Sequence, residues 1–156
     1  MTFKKYLSKF SKDQIFVAVF IVVAVISFIA LRVSQSVYKK TTLKIGGETV
    51  ILQIADTSVK RQKGLSGRSL LPANRGMIFI FGEKRQHAFW MKDMNFPIDI
   101  LWLDERKIVD IAPIVPPAKA GDLNPPRYYP RLPADVVIEL PAGFAAEHQL
   151  KIGDKL

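Results

Sequence analysis

Asp99 lies in an apolar run, Pro97-Ile98-Asp99-Ile100-Leu101-Trp102-Leu103. In a strand, Ile98, Ile100 and Trp102 take one face and Asp99, Leu101 and Leu103 the other. Both faces are then greasy, so the strand is expected to be covered on both sides, Asp99 included. Burial raises a carboxyl pKa and a neighbouring cation lowers it again; Lys92 and Arg75 are the cations the sequence offers. Such a pair can do general acid–base work. It can equally be a structural ion pair, or a carboxylate accepting turn N–H groups, which is the simpler way to satisfy a buried charge. Lys92 would become a Schiff-base amine only if desolvated; at the end of a strand, a lysine more commonly snorkels to water.

Other chemistry is poorly served. His87 and His148 form no H-x-x-x-H or H-E-x-x-H pattern. Asp93, Asp99 and Asp104 do not follow a calcium-loop spacing. Ser66 and Ser69 in KGLSGRS match neither a G-x-S-x-G nucleophile nor a P-loop ending. The chain has no cysteine, which removes disulfides, thiolate metal sites and cysteine nucleophiles. We therefore expect no metal and no cofactor. Binding is better served: Lys119, Arg127, Tyr128, Tyr129 and Arg131 mix cations and aromatics on one loop, a mixture suited to polyanion or sugar contact. That loop, Pro116 to Pro133, holds six of the ten prolines, which lower the entropy cost of ordering it. Arg127, Tyr128, Tyr129 and Arg131 are the expected partner-binding residues, since Arg and Tyr are frequent interface anchors. The alternative places the tyrosines as a plug for the open end of a sheet.

The elements that must position these residues follow from local pattern. Leu43 to Ile45 and Thr49 to Ala55 flank Gly46-Gly47, a hairpin signal. Asp56 or Thr57 can cap a short helix from Ser58 to Leu65, which Gly64 and Gly67 would end. Met77 to Phe81 reads as a buried strand. His87 to Asp104 reads as two strands joined at Asp93 to Pro97, with Trp90 and Ile100 in the core. Ile108 to Val115 is a further strand, so Met77 to Val115 predicts a four-stranded antiparallel meander. Asp135 to Leu140 is another strand, and Pro141 is placed to start a helix through His148.

The N-terminal quarter is of another kind. Ile15 to Leu31, IFVAVFIVVAVISFIAL, spans about 26 Å as a helix, close to a bilayer's hydrocarbon core. Lys4, Lys5, Lys9 and Lys12 precede it, and Arg32, Lys39 and Lys40 follow. The expected organisation is a basic cytoplasmic leader (1–14), a transmembrane anchor (15–33), a linker (34–42) and a β-rich domain (43–156) outside the cytoplasm. A cleaved signal peptide is the competing reading, but no good cleavage site follows. The formal charge is +9 over 156 residues. From Val33 onward, 18 Lys and Arg face 13 Asp and Glu, about +5, a mild bias toward anionic partners.

Several fragments in this order, LQIADTSVKRQKGLSGRSLLP, RGMIFIF, FWMKDMNFPIDILWLD and VVIELPAGFAAEHQLKIGD, resemble the domain of unknown function 192 family over Leu43 to Leu156. Gly64-Leu65, Gly76-Met77, Phe89 to Lys92, Pro97, Asp99, Asp104 and Gly143 carry the likeness. It implies a compact, mostly β, barrel-like or sandwich domain, often exported or tethered, and no established activity. Taken together, the expected fold is mostly β α+β. A curved antiparallel, barrel-like sheet of about six or seven strands carries two short helices and follows one transmembrane helix. The expected function is a membrane-anchored binding or interaction module. Its partners are the bilayer, through residues 15–33, and a protein or anionic polymer; nucleic acid is not expected. The alternative is an extracytoplasmic hydrolase or lyase using Asp99 with Lys92 or a loop tyrosine. A sealed Asp99 would favour the module, and a cleft exposing it beside a cation would favour the enzyme.

Overall fold

Three helices and eight strands make up the computed structural model, which describes residues 11–119, 121, 122 and 124–156. The first ten residues of the basic leader lie outside this set, as do two positions of the proline loop. The chain divides into two compact units, residues 1–37 and 38–156.

The first unit contains α1, Lys12–Ser36, opened by a capping box in which Ser11 and Gln14 exchange hydrogen bonds. Its stretch Lys12–Leu31 has a mean hydropathy of 2.9 and is long and apolar enough to cross a membrane. None of that stretch is buried against protein, and Phe16 and Phe20 are 75 % and 67 % exposed.

The second unit is built on a six-stranded sheet. Its strands are β1 (Lys40–Ile45), β2 (Glu48–Ala55), β3 (Arg75–Arg85), β5 (Ile98–Asp104), β6 (Lys107–Val115) and β8 (Ala134–Pro141). Their order is β1-β2-β3-β8-β5-β6, and β2 runs parallel to β3. Two-residue strands β4 (Phe89–Trp90) and β7 (Arg127–Tyr128) pair separately. Helix α2 (Ser58–Lys63) connects β2 to β3, and α3 (Phe144–Glu147) follows β8.

The mostly β fold with short helices after one long apolar helix stands as the sequence implied. Three details differ. The sheet is mixed, because the β2–α2–β3 crossover returns the chain parallel, as such a connection must. It is not closed into a barrel, since β1 and β6 are its two edges. And Met77 to Val115 is not a meander, because β8 inserts between β3 and β5 and pairs antiparallel with both. The β3–β8 register shifts between Ile80 and Arg85, and Arg85 still pairs with Ala134 where β3 ends, before the chain reaches β4. The His87 carbonyl then accepts the Trp102 indole N–H at 3.0 Å, which pins the strand approach with a side chain.

β5 is buried on both faces, as its pattern requires. Ile98, Ile100 and Trp102 join Met77, Phe79 and Val137 in one core, while Leu101 and Leu103 join Leu52, Ile138 and Leu140 in the other. Pro141 closes β8 opposite Ile98 and does not open a helix. The helix starts three residues later, after Gly143 has turned the chain at φ +87°. Gly46 and Gly47, at φ +56° and +87°, form the expected hairpin turn.

Candidate functional site

Asp99 is fully buried and, among the described residues, pairs with no cation. Its Oδ1 accepts the N–H groups of Ile114 (2.8 Å) and Gly143 (3.0 Å), and its Oδ2 accepts that of Ala145 (2.8 Å). The reason is a bulge: Ile98 pairs with Val115 but Ile100 with Ala112, so Asp99 faces two residues of β6, Pro113 and Ile114. Pro113 has no N–H to offer. Ile114 takes φ +48°, unusual for a β-branched residue, and its freed N–H turns to the carboxylate. The same carboxylate fastens the turn from β8 into α3. The expected partners lie elsewhere: Arg75 begins β3 beside Ile51, and Lys92 is exposed next to Trp90. Asp99 is thus a clamp joining three segments, sealed from solvent.

The proline-loop residues divide. Tyr128 is half-buried and packs on the core. Arg131 is bound to Asp110, with its backbone N–H at 2.7 Å, Nε at 3.0 Å and Nη2 at 2.6 Å from the carboxylate oxygens. Burial pushes the Asp110 carboxyl up, but the Arg131 hydrogen bonds outweigh it and hold the group below the ordinary aspartate range. Tyr129 is exposed. Arg127 is carried by β7 to β4, where its guanidinium carbon sits 5.4 Å from the centre of the Trp90 ring. Only Arg127 among the four therefore meets another conspicuous surface group.

That group, Trp90, was expected in the core and is 39 % exposed. On a two-residue strand only one side chain can face in; Phe89 does so, edge-on to Phe79 and Trp102. The indole left outside lines two adjoining clefts. The first, about 270 Å³, is lined by Arg61, Gln62, Phe81, Ala88, Phe89, Trp90 and Arg127. The second, about 310 Å³, is lined by Val59, Gln62, Lys63, Ser66, Trp90, Lys92 and Asp93. Trp90 and Gln62 belong to both. Lys92 Nζ lies 5.7 Å from the Trp90 ring centre, within cation–π range like Arg127.

Local structure holds this arrangement. Thr57 caps α2 by accepting the Lys60 N–H, and Gly64 ends it, placing Val59, Arg61, Gln62 and Lys63 along the clefts. Arg61 Nη1 donates to the carbonyls of Asp56 and Ile80, with its guanidinium over Phe81. The Lys92 carbonyl accepts the Ser66 hydroxyl at 2.9 Å, and the Asp93 carbonyl accepts the Gly67 N–H at 2.7 Å. These bonds fix the turn after β4, where Asp93 stands at φ +57°. Arg61, Lys63, Lys92 and Arg127 face a single carboxylate, Asp93, and among the described residues none of the four is in an ion pair. The sequence placed these cations on three separate segments. Nothing local said that α2, β4 and β7 would converge.

Glu139 is a second group that sequence reasoning passed over. It sits on β8 between Met77 and Ile100 and is buried, with Oε2 lacking a hydrogen-bond partner among the described residues. Burial pushes its carboxyl up to about 8, against a smaller pull downward from Arg68. Tyr38, packed on the same core, is also pushed up by burial, partly offset by Arg68. His87 stacks on Phe81 and His148 lies tilted against Phe144, and no group of three metal-ligating side chains occurs among the described residues.

Comparison with known proteins places this geometry. Residues 41–156 match the family model DUF192, described as an uncharacterised ACR. A crystal structure of a protein of unknown function from Novosphingobium aromaticivorans is similar, with a TM-score of 0.65 and 29 % identity. That match covers 74 % of this chain and 81 % of the other. A Sinorhizobium meliloti protein described as a candidate transcription regulator also has a TM-score of 0.65, at 27 % identity, covering 76 % of this chain and 92 % of its own. No curated protein matches the chain.

Proposed function

This chain belongs to the DUF192 family, and from that premise we propose that it is a membrane-anchored binding module that takes an anionic ligand in the clefts around Trp90. The carrying observation is the exposed indole with Lys92 and Arg127 held over it and, among the described residues, no carboxylate paired to either. Cations left without a counter-charge attract an anion to that place, and the indole beneath them gives it a flat apolar face to lie on. Helix α1 supplies the tether, and in this reading the domain works outside the cytoplasm. The hydrolase or lyase alternative needs Asp99 to reach a substrate; a carboxylate with no exposed surface and three backbone N–H partners has neither access nor a proton relay.

Trp102 is buried, so changes in tryptophan fluorescence on ligand addition report mainly on Trp90. The full chain in nanodiscs is titrated with polyacrylate, a plain polyanion, and with neutral dextran. Polyacrylate is expected to give a saturable change that weakens with added salt, and dextran none. Lys92→Gln with Arg127→Gln should abolish the response. A response that survives this double change would remove the site, and no response to polyacrylate would remove the anionic reading.

A further inference from the structure

We infer that the ligand is an acidic polysaccharide chain threaded through both clefts, with carboxylates on the cations and ring hydroxyls on Gln62. This rests on the reading of the Trp90 clefts as a ligand site and adds the class and length of what fills them.

Three features point to a chain. The clefts adjoin and share Trp90 and Gln62, so a molecule filling one abuts the other. Each holds its own cations: Arg61 and Arg127 in the first, Lys63 and Lys92 in the second. Lys92 Nζ and the Arg127 guanidinium lie 5.7 Å and 5.4 Å from one ring centre, so they are at most about 11 Å apart. A monovalent small anion neutralises one such charge. A chain with acidic groups on successive units neutralises both, and the second contact then forms at high effective concentration.

Two further features point to sugar. Gln62 sits where the clefts meet, and its amide makes no hydrogen bond to another described residue; it offers donors and an acceptor together. Hydroxyls use both, whereas a bare phosphodiester or carboxylate chain only accepts. Of the aromatics lining the clefts, Phe89 is buried and half-buried Phe81 is stacked on by His87 and Arg61, while Trp90 is exposed with both cations over it. Recognition of single-stranded nucleic acid uses a series of open stacking rings, which these clefts do not provide. A C–H edge of a sugar ring against the indole needs only one.

The test uses the full chain in nanodiscs and four probes: polygalacturonate, digalacturonate, polyacrylate and duplex DNA. Polygalacturonate is expected to bind at least tenfold more tightly than polyacrylate of equal charge, and digalacturonate at least tenfold more weakly than the polymer. Gln62→Ala should weaken polygalacturonate severalfold and leave polyacrylate unchanged. Lys92→Gln with Arg127→Gln should weaken both, while Lys44→Gln with Lys151→Gln, which removes the same charge outside the clefts, should change neither. Equal affinity for polygalacturonate and polyacrylate, with no effect of Gln62→Ala, would overturn the polysaccharide class while the anionic site stood. Tighter binding of duplex DNA, lost with Lys92 and Arg127, would do the same in favour of nucleic acid. Polygalacturonate binding indifferent to Lys92 and Arg127 would overturn the site itself.

Discussion

Glu139 is a buried side chain whose protonation is set by the fold. Its carboxyl moves from an ordinary 4.5 to about 8 because burial disfavours the charged form more than Arg68 favours it. Below pH 4.5 folded and unfolded chains both hold the proton, and above about 8 both have lost it. Between those values the folded state keeps a proton that the unfolded state releases, so stability falls as pH rises through this window. The shift sets a ceiling of roughly 4–5 kcal/mol on the loss. Glu139→Gln should flatten the profile: urea midpoints measured from pH 5 to 8.5 should decline in the parent and stay level in the variant. Parallel declines would show that this carboxyl is not the cause. Asp99 is the opposite kind of buried acid, matched by three N–H groups. In Asp99→Asn one oxygen becomes an NH₂ that opposes those donors, so the change should cost roughly 2–4 kcal/mol by chemical denaturation. An unchanged midpoint would refute the clamp.

Elements were legible where a short-range rule decides them. Thr57 and Gly64 bound α2, Gly46-Gly47 marks the first hairpin, and the apolar run of β5 announces burial on both faces. The pairing of β8 with β3 and β5 was hidden, because Glu139 and Met77 are neighbours only through a ladder that closes a long loop. Trp90 was misplaced for a related reason: in a strand two residues long, alternation has no frame until a partner strand supplies one. Asp99 was read correctly as buried, but its partners are backbone groups of a bulge and a turn, and those carry no side-chain signature. Gly76 tests the hidden pairing. A Cβ there would stand 2.5 Å from the Glu139 carbonyl oxygen and 2.8 Å from Leu52 Cδ2, so β3 could not stay beside β8. Gly76→Ala should therefore destabilise by roughly 3 kcal/mol, at the upper end for overpacking. A midpoint within error of the parent would mean that the two strands are not so close.

At the scale of the whole molecule, two units make different demands on solvent. The 38–156 unit carries its own two cores and its own hydrogen-bonded sheet. Helix α1 is different: from Phe16 to Leu31 its large side chains are exposed, and its described capping is local. In water such a surface exceeds what a soluble protein leaves uncovered. In a bilayer the 20 residues Lys12–Leu31 match the hydrocarbon thickness at about 1.5 Å per residue. The full chain should accordingly sediment with membranes and resist extraction by salt or alkali, whereas residues 38–156 expressed alone should remain soluble at the same concentration. Lysines on the N-terminal side favour that end inside, so protease added to sealed cells should digest the domain and spare the leader. Cleavage of the domain only after lysis would reverse the orientation. A mature N-terminus near Val37, found by mass spectrometry, would make α1 a removed signal sequence and leave the Trp90 clefts on a freely diffusing protein.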